Sequence, residues 1–244
     1  MDDLRLLVSP SPHIRDTDTT EKIMFAVLLA LLPVVAASIY FFRWDAVRVV
    51  LLASGSAVAT EAIFQRLRKR PVTVADGSAL ITGVLLGLSV PPTLPSWMVI
   101  LGSAFAIAIG KQVFGGLGHN PFNPALVGRA FLTASFAKAM TAWTAPIDAV
   151  SAATPLAMGP AVSRIPDLFF GSVAGSLGET SALAILLGGI YLFYRGVIDY
   201  RIPVGILGSV TVFALLAGQD PVFHLLSGSL LFGAVYMATD MVTS

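Results

Sequence analysis

Residues 23–42 form twenty consecutive positions without a single Asp, Glu, Lys or Arg, bounded by Lys22 and Arg43. No other feature constrains the fold as strongly. As a helix, about 20 residues span the ~30 Å hydrocarbon core of a bilayer. Further apolar segments follow at 47–65, 78–90, 96–109, 125–137, 181–194, 202–217 and 222–238. The second carries Arg48 and Glu61 near its ends, where long side chains reach the interface; Glu61 reads there as half of an interfacial pair with neighbouring arginines. The third is short for a spanning helix, is interrupted by Gly83 and Gly87, and ends in Pro91-Pro92. Charged residues make up only 12% of the chain, about half the roughly 25% of globular domains, and 56% of residues are hydrophobic. Such an allotment cannot build a water-soluble surface. The expected fold is an all-α integral membrane protein with eight apolar segments.

Basic loops fix the expected orientation. Arg66, Arg68, Lys69 and Arg70 place the loop after the second segment in the cytoplasm, and with it the N-terminus. Counting onward, Lys111 lies in a cytoplasmic loop and the long connection 138–178 lies outside. Arg195 and Arg201 flank the next cytoplasmic loop and agree with the count. Trp44, Trp97 and Trp143 fall at outer segment ends, as aromatic-belt anchors do. The net charge of +1 and the lack of a long basic tract give no footing for nucleic acid, so the expected surroundings are membrane lipid and protein. With no cysteine, the chain cannot hold a cysteine-ligated cluster or a disulfide, so a redox role needs an organic cofactor or a partner. His119 and His224 are not spaced as metal ligands.

A shift of 150 residues lays Gly77-Ser78-Ala79-Leu80-Ile81-Thr82-Gly83 over Ser227-Gly228-Ser229-Leu230-Leu231-Phe232-Gly233, each in the third segment of its half. Duplication and chance coincidence in a Gly- and Leu-rich chain both produce so short a match. Read as duplication, five segments in the first half force the second to run in the opposite sense. The fold class is then an inverted-repeat helical bundle with broken helices, the architecture that places polar sites near the bilayer midplane. The divisions are 1–22, an N-terminal cytoplasmic segment; 23–137, the first repeat; 138–178, an extracytoplasmic loop; and 179–244, a partial second repeat. That second repeat holds three segments, so the bundle is expected to lack its last two helices, as a fragment or truncated form does.

The loop contains Asp148-Ala149-Val150-Ser151-Ala152-Ala153-Thr154-Pro155-Leu156. A threonine hydroxyl needs activation and an accessible backbone before it joins a phosphate. Ser151, Ala152 and Ala153 are small enough for a modifying enzyme to close over them, and Asp148 can orient the loop or bind that enzyme's metal. The same residues also make an ordinary exposed turn. Residues alone leave both readings standing.

The segment resembles the flavinylation motif of the RnfD/NqrB family. Further blocks agree in family order: Asp76-Gly77-Ser78-Ala79-Leu80-Ile81-Thr82-Gly83; Gly110-Lys111-Gln112-Val113-Phe114-Gly115-Gly116-Leu117-Gly118-His119-Asn120-Pro121-Phe122-Asn123-Pro124-Ala125; Gly128-Arg129-Ala130-Phe131; and Met237-Ala238-Thr239-Asp240. The short stretch before the first segment and Gln112, where the quinone-reductase branch is expected to carry Glu, favour the D subunits of Rnf ion-translocating electron-transport complexes. The resemblance implies FMN joined through a phosphoester to Thr154 by a flavin transferase, and admits a second, non-covalent flavin. It implies a plasma-membrane, multi-pass subunit of a translocating oxidoreductase, inactive alone. Electrons would pass between NADH- and ferredoxin-linked partners, including a second flavin-carrying subunit, coupled to Na⁺ or H⁺ movement. An Na⁺-translocating NADH:quinone reductase B-like protein and a flavin-free urea-type channel are the alternatives.

Around Thr154, the site residues implied are Asp148, Ser151, Ala153 and Arg129. Arg129 lies inside an apolar segment, where an arginine is costly and is usually paired or functional. It reads either as a partner of the flavin phosphate or as one half of a structural pair. Asp76, at the mouth of the third segment, reads either as an ion-path residue or as a simple helix cap. Gly115, Gly116 and Gly118 make a re-entrant loop with amides available to an anion, or a plain helix connection.

Overall fold

A computed structural model describes residues 19–147, 150–160 and 164–243. The chain is all-helical: among the described residues the only β pairing is an isolated bridge between Thr144 and Ser151. The first element, α1 (Thr20–Leu67), starts where the Thr19 hydroxyl accepts a hydrogen bond from the Lys22 amide at 3.4 Å. Its 48 residues would extend about 72 Å if straight, more than twice the apolar depth of a bilayer. It bends at Arg43, whose φ of 50° and ψ of −125° are not helical. Its two arms run back along each other, and α2 (Ser78–Leu88) shows it. At the start of α2, Gly77 faces Met24 and Leu28 of the first arm. Further along α2, Gly83 and Gly87 face Ser54 and then Val50 of the second. A Cβ on Gly83 would lie 2.5 Å from the Ser54 Cα, so the close approach of these backbones requires glycine there.

α2 is buried along nearly all its length, and the chain beyond it, from Ser89 to Leu94, is irregular yet largely buried. Irregular backbone at this depth needs protein partners. An insertion of the later loop supplies them. The Gly178 amide donates to the Leu88 carbonyl at 2.7 Å and the Leu177 amide to the Val90 carbonyl at 3.3 Å. The Ser38 hydroxyl donates to the Leu177 carbonyl at 2.5 Å.

Helix α3 (Ser96–Ile107) runs into a π-helical turn, Ala108–Gln112. It packs on α4 (Pro124–Ser135), with Phe105 and Phe131 stacked at 4.1 Å. The short α5 (Ala137–Met140), α6 (Pro155–Met158) and α7 (Ile165–Phe170) belong to the long connection. Helix α8 (Ala182–Tyr194) returns against the first arm of α1, where Gly188 makes room for the Ala30 carbonyl and the Tyr236 hydroxyl. The sole buried residue of α9 (Arg201–Leu216) is Ala214, while Phe213, Leu215 and Leu216 stand exposed. Such flanks are those of a membrane helical protein, with lipid or partner helices in place of water.

The expected eighth segment, 222–238, is not continuous. Helix α10 (Pro221–Leu226) stops before Gly228, whose φ of +68° is left-handed, and α11 (Leu230–Phe232) then opens into a second π turn, Gly233–Met237. Among the described residues, α1 alone is long and apolar enough to qualify as a spanning helix; Ser78–Leu88, Ser96–Gln112, Ala182–Tyr194 and Arg201–Leu216 are shorter.

The contacts separate two ends. At one, the Ile147 amide donates to the Phe41 carbonyl at 2.9 Å and the Thr93 hydroxyl to the Ala142 carbonyl at 3.1 Å, so the α1 bend, the Pro91-Pro92 turn and the long connection lie together. At the other, Arg68 donates to the Gln112 carbonyl at 2.5 Å and Arg70 to that of Gly115 at 3.0 Å. Ile23, Ile198 and Asp240 border one cavity near that second end.

Candidate functional site

Thr154 sits where the long connection is most tightly folded. The Ala145 amide donates to the Val150 carbonyl at 2.7 Å and the Ala152 amide to that of Trp143 at 3.1 Å, closing a small hairpin with the Thr144–Ser151 bridge. Pro155 then starts α6, and Thr154 occupies its N-cap position, with φ −71° and ψ 157°. Thr is a favoured cap, yet here its side chain caps nothing. Among the described residues its carbonyl alone is engaged, by the amides of Ala157 and Met158 at 3.0 and 3.1 Å. The hydroxyl is thus left for other chemistry on a half-buried residue, with Ser151 and Ala153 exposed beside it. Asp148 lies outside the described residues.

A cavity of about 180 Å³ opens at Thr154 and is bordered by Arg129, Trp143, Glu179, Thr180 and Ser229. Two expected residues from distant parts of the chain, Thr154 and Arg129, therefore meet. The Arg129 guanidinium donates to the Ser229 hydroxyl at 3.1 Å, and that hydroxyl donates to a Glu179 carboxylate oxygen. The other Glu179 oxygen accepts from the Ser176 amide at 2.5 Å, which ties the inserted segment to the cavity wall. Arg129 thus has the structural partner that one of its two readings required, and it also borders the same cavity as the threonine that the other required. Sequence reasoning did not single out Glu179 or Ser229 as site residues: Glu179 stands in no motif, Ser229 appeared only within the internal match 227–233, and only the fold apposes them. Trp143 borders this cavity, whereas Trp44 and Trp97 are exposed.

A free hydroxyl, an arginine in the same cavity and a small-residue approach suit a phosphate ester. The volume is below the roughly 300–1,000 Å³ of sites that enclose a drug-sized ligand. The pocket therefore has room for a phosphate-sized group but not for a whole drug-sized ligand.

At the opposite end a buried polar cluster forms. The Lys111 ammonium lies 2.7 Å from a Glu61 carboxylate oxygen, with side-chain exposures of 2% and 1%. It also donates to the Ser78 hydroxyl at 2.6 Å, while Gln112 donates to the same Glu61 oxygen at 2.8 Å. This corrects two expectations. Glu61 is not an interfacial partner of arginines, and Lys111 is not a loop residue. The hairpin of α1 turns Glu61 inward, and the π turn rotates Lys111 and Gln112 onto it. The intramembrane spacing of one acid and one base on different segments was the only available signal, and it lacked the pairing geometry. Asp76, one residue before the Gly77 N-cap, accepts from the Ser78 amide at 2.8 Å and from its hydroxyl at 2.6 Å, which satisfies the first amide of α2, and it also borders a cavity of about 630 Å³ with Glu61 and Gln112. Gly115 and Gly116 border that cavity as well, with left-handed φ of +132° and +104°. No group of three or more metal-ligating side chains occurs among the described residues.

A profile of the NQR2, RnfD, RnfE family matches residues 7–244. The D subunit of the Na⁺-translocating ferredoxin:NAD⁺ oxidoreductase complex of Acetobacterium woodii is 49% identical, covering 100% of this chain and 80% of that protein. Its counterpart in the proton-translocating ferredoxin:NAD⁺ oxidoreductase complex of Clostridium ljungdahlii is 41% identical over 97% of this chain and 78% of its own length. The D subunit of the ion-translocating oxidoreductase complex of Cronobacter sakazakii is 39% identical, with coverages of 97% and 83%.

Proposed function

The chain belongs to the NQR2, RnfD, RnfE family, and from that premise we propose that it is the flavin-bearing D-type membrane subunit of an ion-translocating ferredoxin:NAD⁺ oxidoreductase. It serves as one subunit of a multi-subunit translocase. Thr154 carries FMN through a phosphoester, installed by a flavin transferase. The observation that carries this reading is that Thr154, whose side chain makes no cap hydrogen bond, and Arg129 line one cavity. The bound flavin supplies one-electron redox chemistry.

The protein's own residues do the positioning. Arg129 neutralises charge at the ester, and Glu179, through Ser229, holds the guanidinium in place. Pro155 and the Thr144–Ser151 bridge fix the backbone on either side of the attachment point. The residues that border about 180 Å³ beside Thr154, Arg129 and Ser229 among them, would hold the phosphate of the ester, and the flavin would supply the redox chemistry toward a second flavin-carrying subunit. Basic residues Arg66, Arg68, Lys69 and Arg70 mark the other end as cytoplasmic, so Thr154 faces the opposite side of a multi-pass plasma-membrane protein. The inverted-repeat reading gains support from α2 and α11. Each starts after a left-handed glycine, Gly77 or Gly228, but α2 starts at the basic end while Gly228 lies against Leu156 beside Thr154.

In-gel flavin fluorescence of the denatured protein, produced with its transferase, tests the reading. A fluorescent band is expected, and Thr154→Val is expected to abolish it. A band that survives the substitution places the attachment elsewhere. A wild-type protein without fluorescence favours a flavin-free channel of related architecture.

A further inference from the structure

We propose that the basic end of α1 binds one anionic phospholipid, its phosphate held by Arg66 and Lys69 and an acyl chain lying along the outer face of the second arm. The site goes beyond the function proposed above and does not depend on the flavin. It rests on the membrane fold alone. The four basic residues at this end are not equivalent. Arg68 donates to the Gln112 carbonyl at 2.5 Å and Arg70 to that of Gly115 at 3.0 Å, so both fasten the chain after α3 to the helix end. Arg66 and Lys69 are exposed, and their side chains make no hydrogen bond or ion pair among the described residues. Lys69 stands just past the helix, at a left-handed φ of 53°. The sequence offers the pair no close acid either: neither 62–75 nor 77–147 contains Asp or Glu. Glu21, Glu61 and Asp76 border the cavity on the Arg70 side, which neither Arg66 nor Lys69 borders. Four neighbouring cations repel one another, and an anion from outside the chain relieves that repulsion.

The surface below the free pair identifies the kind of anion. Leu51, Gly55, Ala59, Ile63 and Leu67 recur four residues apart and are all exposed, so they form one outer strip of the helix. Arg66 lies three residues after Ile63 and tops that strip. Leu67 is 75% and Ile63 56% exposed. Val113 and Phe114, between the two fastened carbonyls, are exposed as well. From Leu51 to Leu67 the helix rises about 24 Å, more than half of the ~30 Å hydrocarbon core. Free phosphate has no use for such a strip, and an acidic protein would meet it with none of its charge. An anionic phospholipid matches both halves, with its phosphate at the cations and its chain on the apolar face. Each basic side chain at a membrane surface favours anionic lipid by about fivefold.

The experiment uses the assembled complex, purified and reconstituted in phosphatidylcholine nanodiscs. A trace of phosphatidylglycerol or phosphatidylcholine with a diazirine in one acyl chain is added and activated by light. Adducts are then mapped on the tryptic peptides 49–66 and 112–129. The anionic probe is expected to label 49–66 at least fivefold more than the zwitterionic one. Excess unlabelled phosphatidylglycerol should erase that preference, whereas inorganic phosphate should not. Arg66→Gln/Lys69→Gln, whose corresponding peptide runs to Arg68, should bring the ratio to about one. The charge-keeping pair Arg66→Lys/Lys69→Arg should retain it, which separates lost charge from lost folding. Equal labelling of wild type by the two probes overturns the site, as does a preference that survives neutralisation. Erasure by inorganic phosphate makes it a free-anion site and overturns the lipid. Adducts between 49–66 and another subunit in place of lipid make this face a protein interface and overturn it equally.

Discussion

The two ends of the molecule solve opposite problems. At the basic end, charge is buried, paired and held by helix interiors: Glu61 in the second arm of α1, Lys111 in the π turn after α3, and Ser78 at the first turn of α2. At the Thr154 end, a hydroxyl stands on a folded connection, on a half-buried residue, without a hydrogen-bond partner among the described residues. A buried ion pair must be over-determined, because each charge is expensive without its partner. A modification site must be reachable by another enzyme, and a surface connection meets that need. Substitutions at the first end therefore act through stability and those at the second through chemistry.

The largest stability effect is expected at Lys111. Lys111→Ala leaves Glu61 buried without its counter-charge and should cost about 3–5 kcal/mol, read as a lowered Tm of the purified protein. A Tm within a degree of wild type would remove the distinction between the ends. Next comes Gly83→Ala, where the new methyl meets the Ser54 backbone at 2.5 Å; overpacking costs about 1–3 kcal/mol. Gly55→Ala in the same arm sharpens the comparison, since nothing lies within 4 Å of its Cβ position. It should be neutral or raise stability by up to ~1 kcal/mol through helix propensity. Asp76→Ala removes the carboxylate that accepts from Ser78 and should cost about 0.5–2 kcal/mol, the range of a lost helix cap. The smallest effect is expected at Thr154 itself. Thr154→Val should leave Tm unchanged within about 0.5 kcal/mol of stability while removing the covalent flavin entirely.

The same contrast explains what the sequence revealed. The first two apolar segments were legible because each is long, and Arg43 between them marked the bend. Thr154 could be singled out as a candidate because the motif it belongs to lies in contiguous residues. The break at Ser227 was not foreseen within 222–238: only the internal match to Gly77 hinted at it, and a left-handed Gly228 becomes decisive only once the backbone is placed. Nor was the burial of Lys111 legible. Its position after Gly110 and before a glycine-rich stretch reads as a loop, and the π turn that carries it inward has no composition signal. Glu179 and Ser229 were invisible for a related reason: they are 50 positions apart, and their pairing with Arg129 exists only through the fold.

The most direct test of the central claim is the mass of the tryptic peptide 139–164, which contains Thr154 and lies between Lys138 and Arg164. From cells that possess the attaching enzyme, it should carry an FMN-sized adduct whose fragments localise to Thr154. The bare peptide, recovered in full from the assembled complex, would contradict the account.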